Sequence, residues 1–241
     1  MATLINMQRN DQAIYQDHAE TWWDGTKRFQ RTLANQVRPR LIYFDRVAPD
    51  WTGLDVLDLG CGGGFMAEPL ARRGACVTGV DPSAASLEAA RKHAKTQGLD
   101  ITYRQGVGEA IPLETGSMDR VVCVDVLEHV QDIDKVLSEV RRVLRPNGLF
   151  FFDTVNRNWL ARLLAVTVVE DVLRVIPKNT HDADKFIRPT ELRRMLESNG
   201  FTVKEPFVGM GPVRVNRRLD FVFGITPFKW IMYLGYAIAV N

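Results

Sequence analysis

The string Val56-Leu57-Asp58-Leu59-Gly60-Cys61-Gly62-Gly63-Gly64 is the first place in this chain where residue types and spacing point to chemistry. It follows a short apolar run and precedes residues with helical spacing. Glycines at such a junction allow a sharp turn and let a ligand approach the backbone closely. The start of the helix beyond offers N–H groups that have no intrahelical partner. Asp81 lies 21 residues past Gly60, at the end of a second apolar run. In a doubly wound sheet, that position presents a carboxylate to the ribose hydroxyls of an adenosine ligand. A nicotinamide dinucleotide matches poorly, because its fingerprint needs a third glycine where this chain has Phe65. Asp58 would sit more comfortably near a cation than near a pyrophosphate.

A second cluster follows a later apolar run, in Val124-Asp125-Val126-Leu127-Glu128-His129-Val130. Asp125, Glu128 and His129 are spaced i, i+3 and i+4, so on one helical turn they share a face. Three such groups hold a hard or borderline divalent ion and leave positions open. His129 is equally a candidate base for a phenol. A Glu-His pair that simply caps a helix is the third reading, and all three stay open.

The elements that must position these residues are legible as apolar runs and amphipathic segments. Strands are predicted near 54–59, 76–80, 101–105, 120–124 and 149–153, and helices over 65–73, 83–97 and 134–144. Ser83 is placed to cap the second helix. Strand-helix alternation at this spacing argues for right-handed crossovers and a parallel sheet covered on both faces. Residues 8–50 read as a helical lead-in. Residues 189–199 read as another helix, with two late strands over 201–208 and 231–240. Between them, residues 158–176 have an apolar surface with a polar stripe, an amphipathic helix. It reads either as packed on the core or as a lid at a membrane interface.

Composition narrows the classes. Of 241 residues, 46% are hydrophobic and 25% charged, which excludes a disordered or fibrous chain. The net charge of +2 gives no reason to expect nucleic acid as partner. The three cysteines form no C-x-x-C pair, so a reducing, cytoplasmic setting is expected. The N-terminal segment has no apolar signal core, and nothing reads clearly as membrane-spanning.

The pattern Asp58-x-Gly60-x-Gly62-x-Gly64 resembles that of class I S-adenosylmethionine-dependent methyltransferases, as do Gly106-x-x-Glu109-x-Ile111-Pro112 and Leu144-Arg145-Pro146-Asn147-Gly148. More specific strings resemble the ubiquinone-biosynthesis O-methyltransferase family. They are Trp22-Trp23-Asp24, Arg38-Pro39-Arg40-Leu41, Val126 to Val130, Asn156-Arg157-Asn158, and Val175 to Asp182 with Lys185-Phe186-Ile187. The resemblance spans about residues 15–205. It implies S-adenosyl-L-methionine contacts at Arg40, Gly60, Asp81 and Val124, beside Gly62 of the loop. It implies Mg2+ or another divalent ion at Asp125, Glu128 and His129, with Asp125 standing where the family usually has Glu. It also implies peripheral membrane contact for 158–176.

The expectation is therefore a Rossmann-like α/β domain with a seven-stranded, mainly parallel sheet, its last strand antiparallel and helices on both faces. Residues 1–50 form a helical N-terminal cover and 51–241 the methyltransferase domain, with a lid insertion near 157–188. The expected activity is methyl transfer to a phenolic or catecholic hydroxyl of a small hydroxyaromatic substrate, with Asp125 and His129 as catalytic candidates. The expected setting is cytoplasmic, with membrane association at the inner face an open addition. Methylation of another small molecule, and a non-catalytic lipid-associated protein of the same fold, are the alternatives.

Overall fold

The computed structural model describes residues 19–164, 175–177 and 180–240. Five strands form the parallel half of one sheet, in the order β3-β2-β1-β4-β5. They are β1 (Asp55–Leu59), β2 (Cys76–Asp81), β3 (Ile101–Gln105), β4 (Met118–Cys123) and β5 (Leu144–Val155). The order reverses around β1 and β4, leaving a crevice beyond their carboxyl ends, where ligands bind in open α/β sheets.

The remaining strands are antiparallel. β9 (Met232–Ala239) pairs with β5 on one side, and with β6 (Phe201–Thr202) and β7 (Val208–Val215) on the other. β8 (Phe221–Thr226) completes a hairpin with β7 at the sheet edge. The described residues thus form nine strands, not seven, and several of the late ones are antiparallel. Two local features hid this. Pro206 interrupts the run expected to be one strand over 201–208, because proline donates no ladder hydrogen bond. Gly209, Gly211, Pro212 and Gly224 make the hairpin read as loop, and its register shifts between Pro212 and Arg214, a bulge.

Alternation along β1 sends side chains into two cores. Val56 joins Phe44, Leu70, Leu87 and Phe151 on one face. Leu57 joins Val136, Val140, Leu192 and Leu196 on the other. The first face is covered by α1 (Arg28–Val47), α2 (Ala67–Ala71) and α3 (Ala84–Thr96), and the second by α4 (Ile133–Val143) and α5 (Pro189–Ser198). Caps set the helix starts beside the crevice: Ser83 Oγ accepts from Ser86 N at 3.2 Å, and Asp132 Oδ1 accepts from Lys135 N at 3.0 Å.

The cover helix α1 is tied to the far hairpin. Arg31 pairs with Asp220 at 2.9 Å, and Asn35 Nδ2 donates to Phe221 O at 3.0 Å. Most of the amphipathic stretch 158–176 falls outside the described residues. What is described begins with one helical turn, Trp159–Ala161, capped by Asn158.

Candidate active site

The glycine loop turns directly off β1. Gly60 N and Cys61 N both donate to Val80 O, at 2.7 and 3.1 Å. Gly60 and Gly62 hold φ of 73° and 50°, the left-handed region that favours glycine. A β-carbon on Gly60 would run into Val126, and one on Gly62 would meet the Trp22 ring at 2.7 Å. The loop is therefore closed from above by the Trp22-Trp23 segment, whose Trp23 Nε1 donates to Gly63 O at 2.8 Å.

Asp81, at the end of β2, clamps the loop from below. Its Oδ2 accepts from Gly62 N and its Oδ1 from Ser83 N, each at 2.8 Å. These strands and loops enclose a cavity of about 500 Å3. Arg40, Gly60, Gly62, Asp81, Val124, Asp125 and His129 all line it. Glu128 does not.

Asp58 also lines the cavity and is 1% exposed. Its Oδ2 has no hydrogen-bond partner among the described residues. Burial, and then the nearby Asp81, push its carboxyl up to about 7. A buried carboxylate oxygen without a donor fits a ligand that brings positive charge. The ionised form favours that cation, so acid weakens binding. Affinity for a cationic adenosyl donor is expected to fall about tenfold in all as the pH drops through about 7, and then to level off. Asp58→Asn is expected to flatten that profile and to weaken binding roughly tenfold at alkaline pH. Calorimetry across pH checks both; an unchanged profile in the variant would remove Asp58 from the site.

The second cluster is not arranged as its spacing suggested. Residues 124–130 form a turn rather than a helix, and Asp125 has φ of 54°. The i, i+3, i+4 argument requires helical backbone at every member, so the common face is lost. Asp125 N donates to Asp153 Oδ1 at 2.8 Å, and its Oδ2 lies 2.6 Å from Arg40 Nη2. Glu128 turns inward, its Oε2 accepting from Thr154 Oγ1 at 2.8 Å. Burial, and then Asp125, push its carboxyl up to about 8. His129 is buried and held down to about 3 by burial, then by His181 and Lys185, so its imidazole is neutral. Among the described residues, no group of three His, Cys, Asp or Glu side chains is placed to hold a metal ion. The expected metal set of Asp125, Glu128 and His129 does not fit a divalent ion as placed.

Sequence reasoning missed Asp153. It ends the apolar run Phe150-Phe151-Phe152 on β5, is fully buried, and accepts from Arg40 Nε at 2.6 Å. An acid directly after three phenylalanines was the available signal. Arg40 Nη2 also donates to Gln36 Oε1 at 3.0 Å.

The family model described as a methyltransferase domain matches residues 57–152, the stretch that carries the loop, Asp81 and the second cluster. Among solved structures, magnesium protoporphyrin IX methyltransferase from Synechocystis PCC 6803 with bound SAH superposes with a TM-score of 0.65. It is 20% identical and covers 95% of this chain and 100% of that one, a likeness of fold. The sheet and glycine loop are those of a class I S-adenosylmethionine-dependent methyltransferase, an enzyme whose cofactor is S-adenosylmethionine. Curated relatives narrow the class. The ubiquinone biosynthesis O-methyltransferase of Histophilus somni (strain 2336) is 42% identical over 195 residues, covering 78% of this chain and 81% of that protein. That of Pasteurella multocida (strain Pm70) is 40% identical over 200 residues, covering 78% and 82%. The chain belongs to the ubiquinone biosynthesis O-methyltransferase family.

Proposed function

We propose that this enzyme methylates a ring hydroxyl of a polyprenylated quinone precursor. The observation that carries the reading is the position of His129, on the wall of the cavity that Asp58 and Asp81 also line. The relatives' names support the substrate class.

When bound, the donor supplies a methyl carbon on a cationic sulfur; the acceptor oxygen's electron pair forms the new C–O bond as the C–S pair returns to sulfur. The chain's part is to align the two and to take a proton. Asp81 holds the ribose diol, and Gly60 and Gly62 let the backbone lie close to it. Val124 packs beside the adenosyl group. Arg40, on the cavity wall, meets the donor's carboxylate. His129 accepts the acceptor's hydroxyl proton. The test is a panel of prenylated catechols and phenols set against aromatic and aliphatic amines, with products read by mass spectrometry and NMR. O-methylated rings are expected; methylation confined to amines would overturn the reading.

The finer part of the proposal is contact with a lipid surface. Trp159 is 75% exposed, and Trp230 is stacked on Phe228 at 4.6 Å and 58% exposed. Asn158 Nδ2 donates to Trp230 O at 2.9 Å, so these aromatic residues belong to neighbouring segments. Arg162 and Lys229 add positive charge. No helix of the described residues is long and apolar enough to cross a membrane; the contact proposed is interfacial. The double variant Trp159→Ser, Trp230→Ser is expected to lose flotation with anionic vesicles while keeping its rate on a short-chain catechol. Flotation equal to wild type would sink this part.

A further inference from the structure

The family resemblance puts a divalent ion at Asp125, Glu128 and His129, and the geometry puts something else there. We propose that Arg40 is the resident cation of the carboxylate cluster at the ends of β4 and β5, and that it takes the charge role assigned to the ion. The inference rests on the methyltransferase reading and concerns how its site is balanced.

Three acids come together where β4 and β5 end. Asp125 and Asp153 each lie 2.6 Å from the Arg40 guanidinium, and Asp125 N donates to the free oxygen of Asp153. Glu128 is joined through the hydroxyl of Thr154, the residue after Asp153. Arg40 is 2% exposed and reaches this point from α1, where Gln36, one turn earlier, fixes its second nitrogen. Every donor from Arg40 into the protein therefore ends on this cluster or on its own helix.

Charge decides which cation fits. An arginine cannot shed its proton at any ordinary pH; burial by itself loosens that hold, and Asp125 and Asp153 together more than restore it. A divalent ion at the turn would bring two like charges beside a buried guanidinium while competing for the same Asp125 oxygen. The left-handed backbone at Asp125 turns its short side chain onto Arg40. Asp has one methylene fewer than the Glu of the resemblance, so it cannot span both the guanidinium and an ion beside His129. The consequence reaches beyond charge. The cation is carried by the cover helix, so seating α1 on the sheet also completes the site.

The test uses the full chain, stripped with a chelator, and Mg2+ or Mn2+ alone as probes. Calorimetry and thermal shift need no methyl acceptor, so a failure here is separate from a failure of the phenol reading. Wild type is expected to give no saturable heat and no shift in midpoint. Metal analysis of the purified protein is expected to find far less than one equivalent. Arg40→Gln leaves the acids unmatched and is expected to gain thermal stabilisation from either ion. If Arg40→Gln does not fold, the wild-type titration decides alone. One equivalent of ion in wild type, lost in Asp125→Asn, would overturn the proposal.

Discussion

Replacing His129 with alanine is expected to lower kcat by roughly a hundred- to ten-thousand-fold, the range over which a positioned base contributes. Affinity for S-adenosylhomocysteine is expected to stay near wild type, because Asp58, Asp81 and the glycine loop are untouched. The split between kcat and binding distinguishes a proton acceptor from a residue that merely supports the pocket. The environment sets the pH dependence. Burial, His181 and Lys185 hold the imidazole neutral down to about pH 3. The wild-type kcat should therefore show no histidine limb anywhere near neutrality. The limb near pH 7 belongs to Asp58 and should appear only where donor binding is limiting. Rapid-quench or steady-state rates across pH, on wild type and variant, check both statements. A variant with unchanged kcat would assign the proton to solvent.

The parallel half of the sheet was legible because its signals are local. Ile101–Gln105 is the strand the alternation marked, and Ser83 caps the helix it was read to cap. The placement of the glycine loop and Asp81 was legible for a related reason: a strand, a tight turn and a helix start fix the backbone over a few residues. The hairpin of β7 and β8 was not, because glycine and proline within strands look like loop when the partner strand is unknown. The second cluster failed differently. Spacing alone carries no information on φ, and one left-handed residue at 125 removes the shared face. Asp153 and Arg40 are 113 residues apart, and no periodicity links them. A buried acid that is matched only in three dimensions reads in sequence as the end of a strand.

That pair carries the other large effect. Asp153→Ala is expected to destabilise the fold by about 3–5 kcal/mol, the usual consequence of removing one partner from a buried ion pair. Asp153 is fully buried, and two groups depend on it: Arg40 Nε and the backbone N–H of Asp125. Alanine leaves Arg40 to Asp125 and Gln36 alone and strips the support from a left-handed backbone. Asp153→Asn keeps an oxygen able to accept from one of them and is expected to cost about 1–2 kcal/mol. Urea unfolding followed by fluorescence measures both, and a loss in the alanine variant no larger than in the asparagine one would show that the accepting oxygen at this position is idle. The alanine variant should also free the Arg40 end of α1 before the sheet unfolds, since Asp153 is the fully buried partner of that helix's cation. Hydrogen exchange should then rise first in residues 36–44, ahead of β4 and β5, because the helix loses its buried anchor while the parallel strands keep theirs.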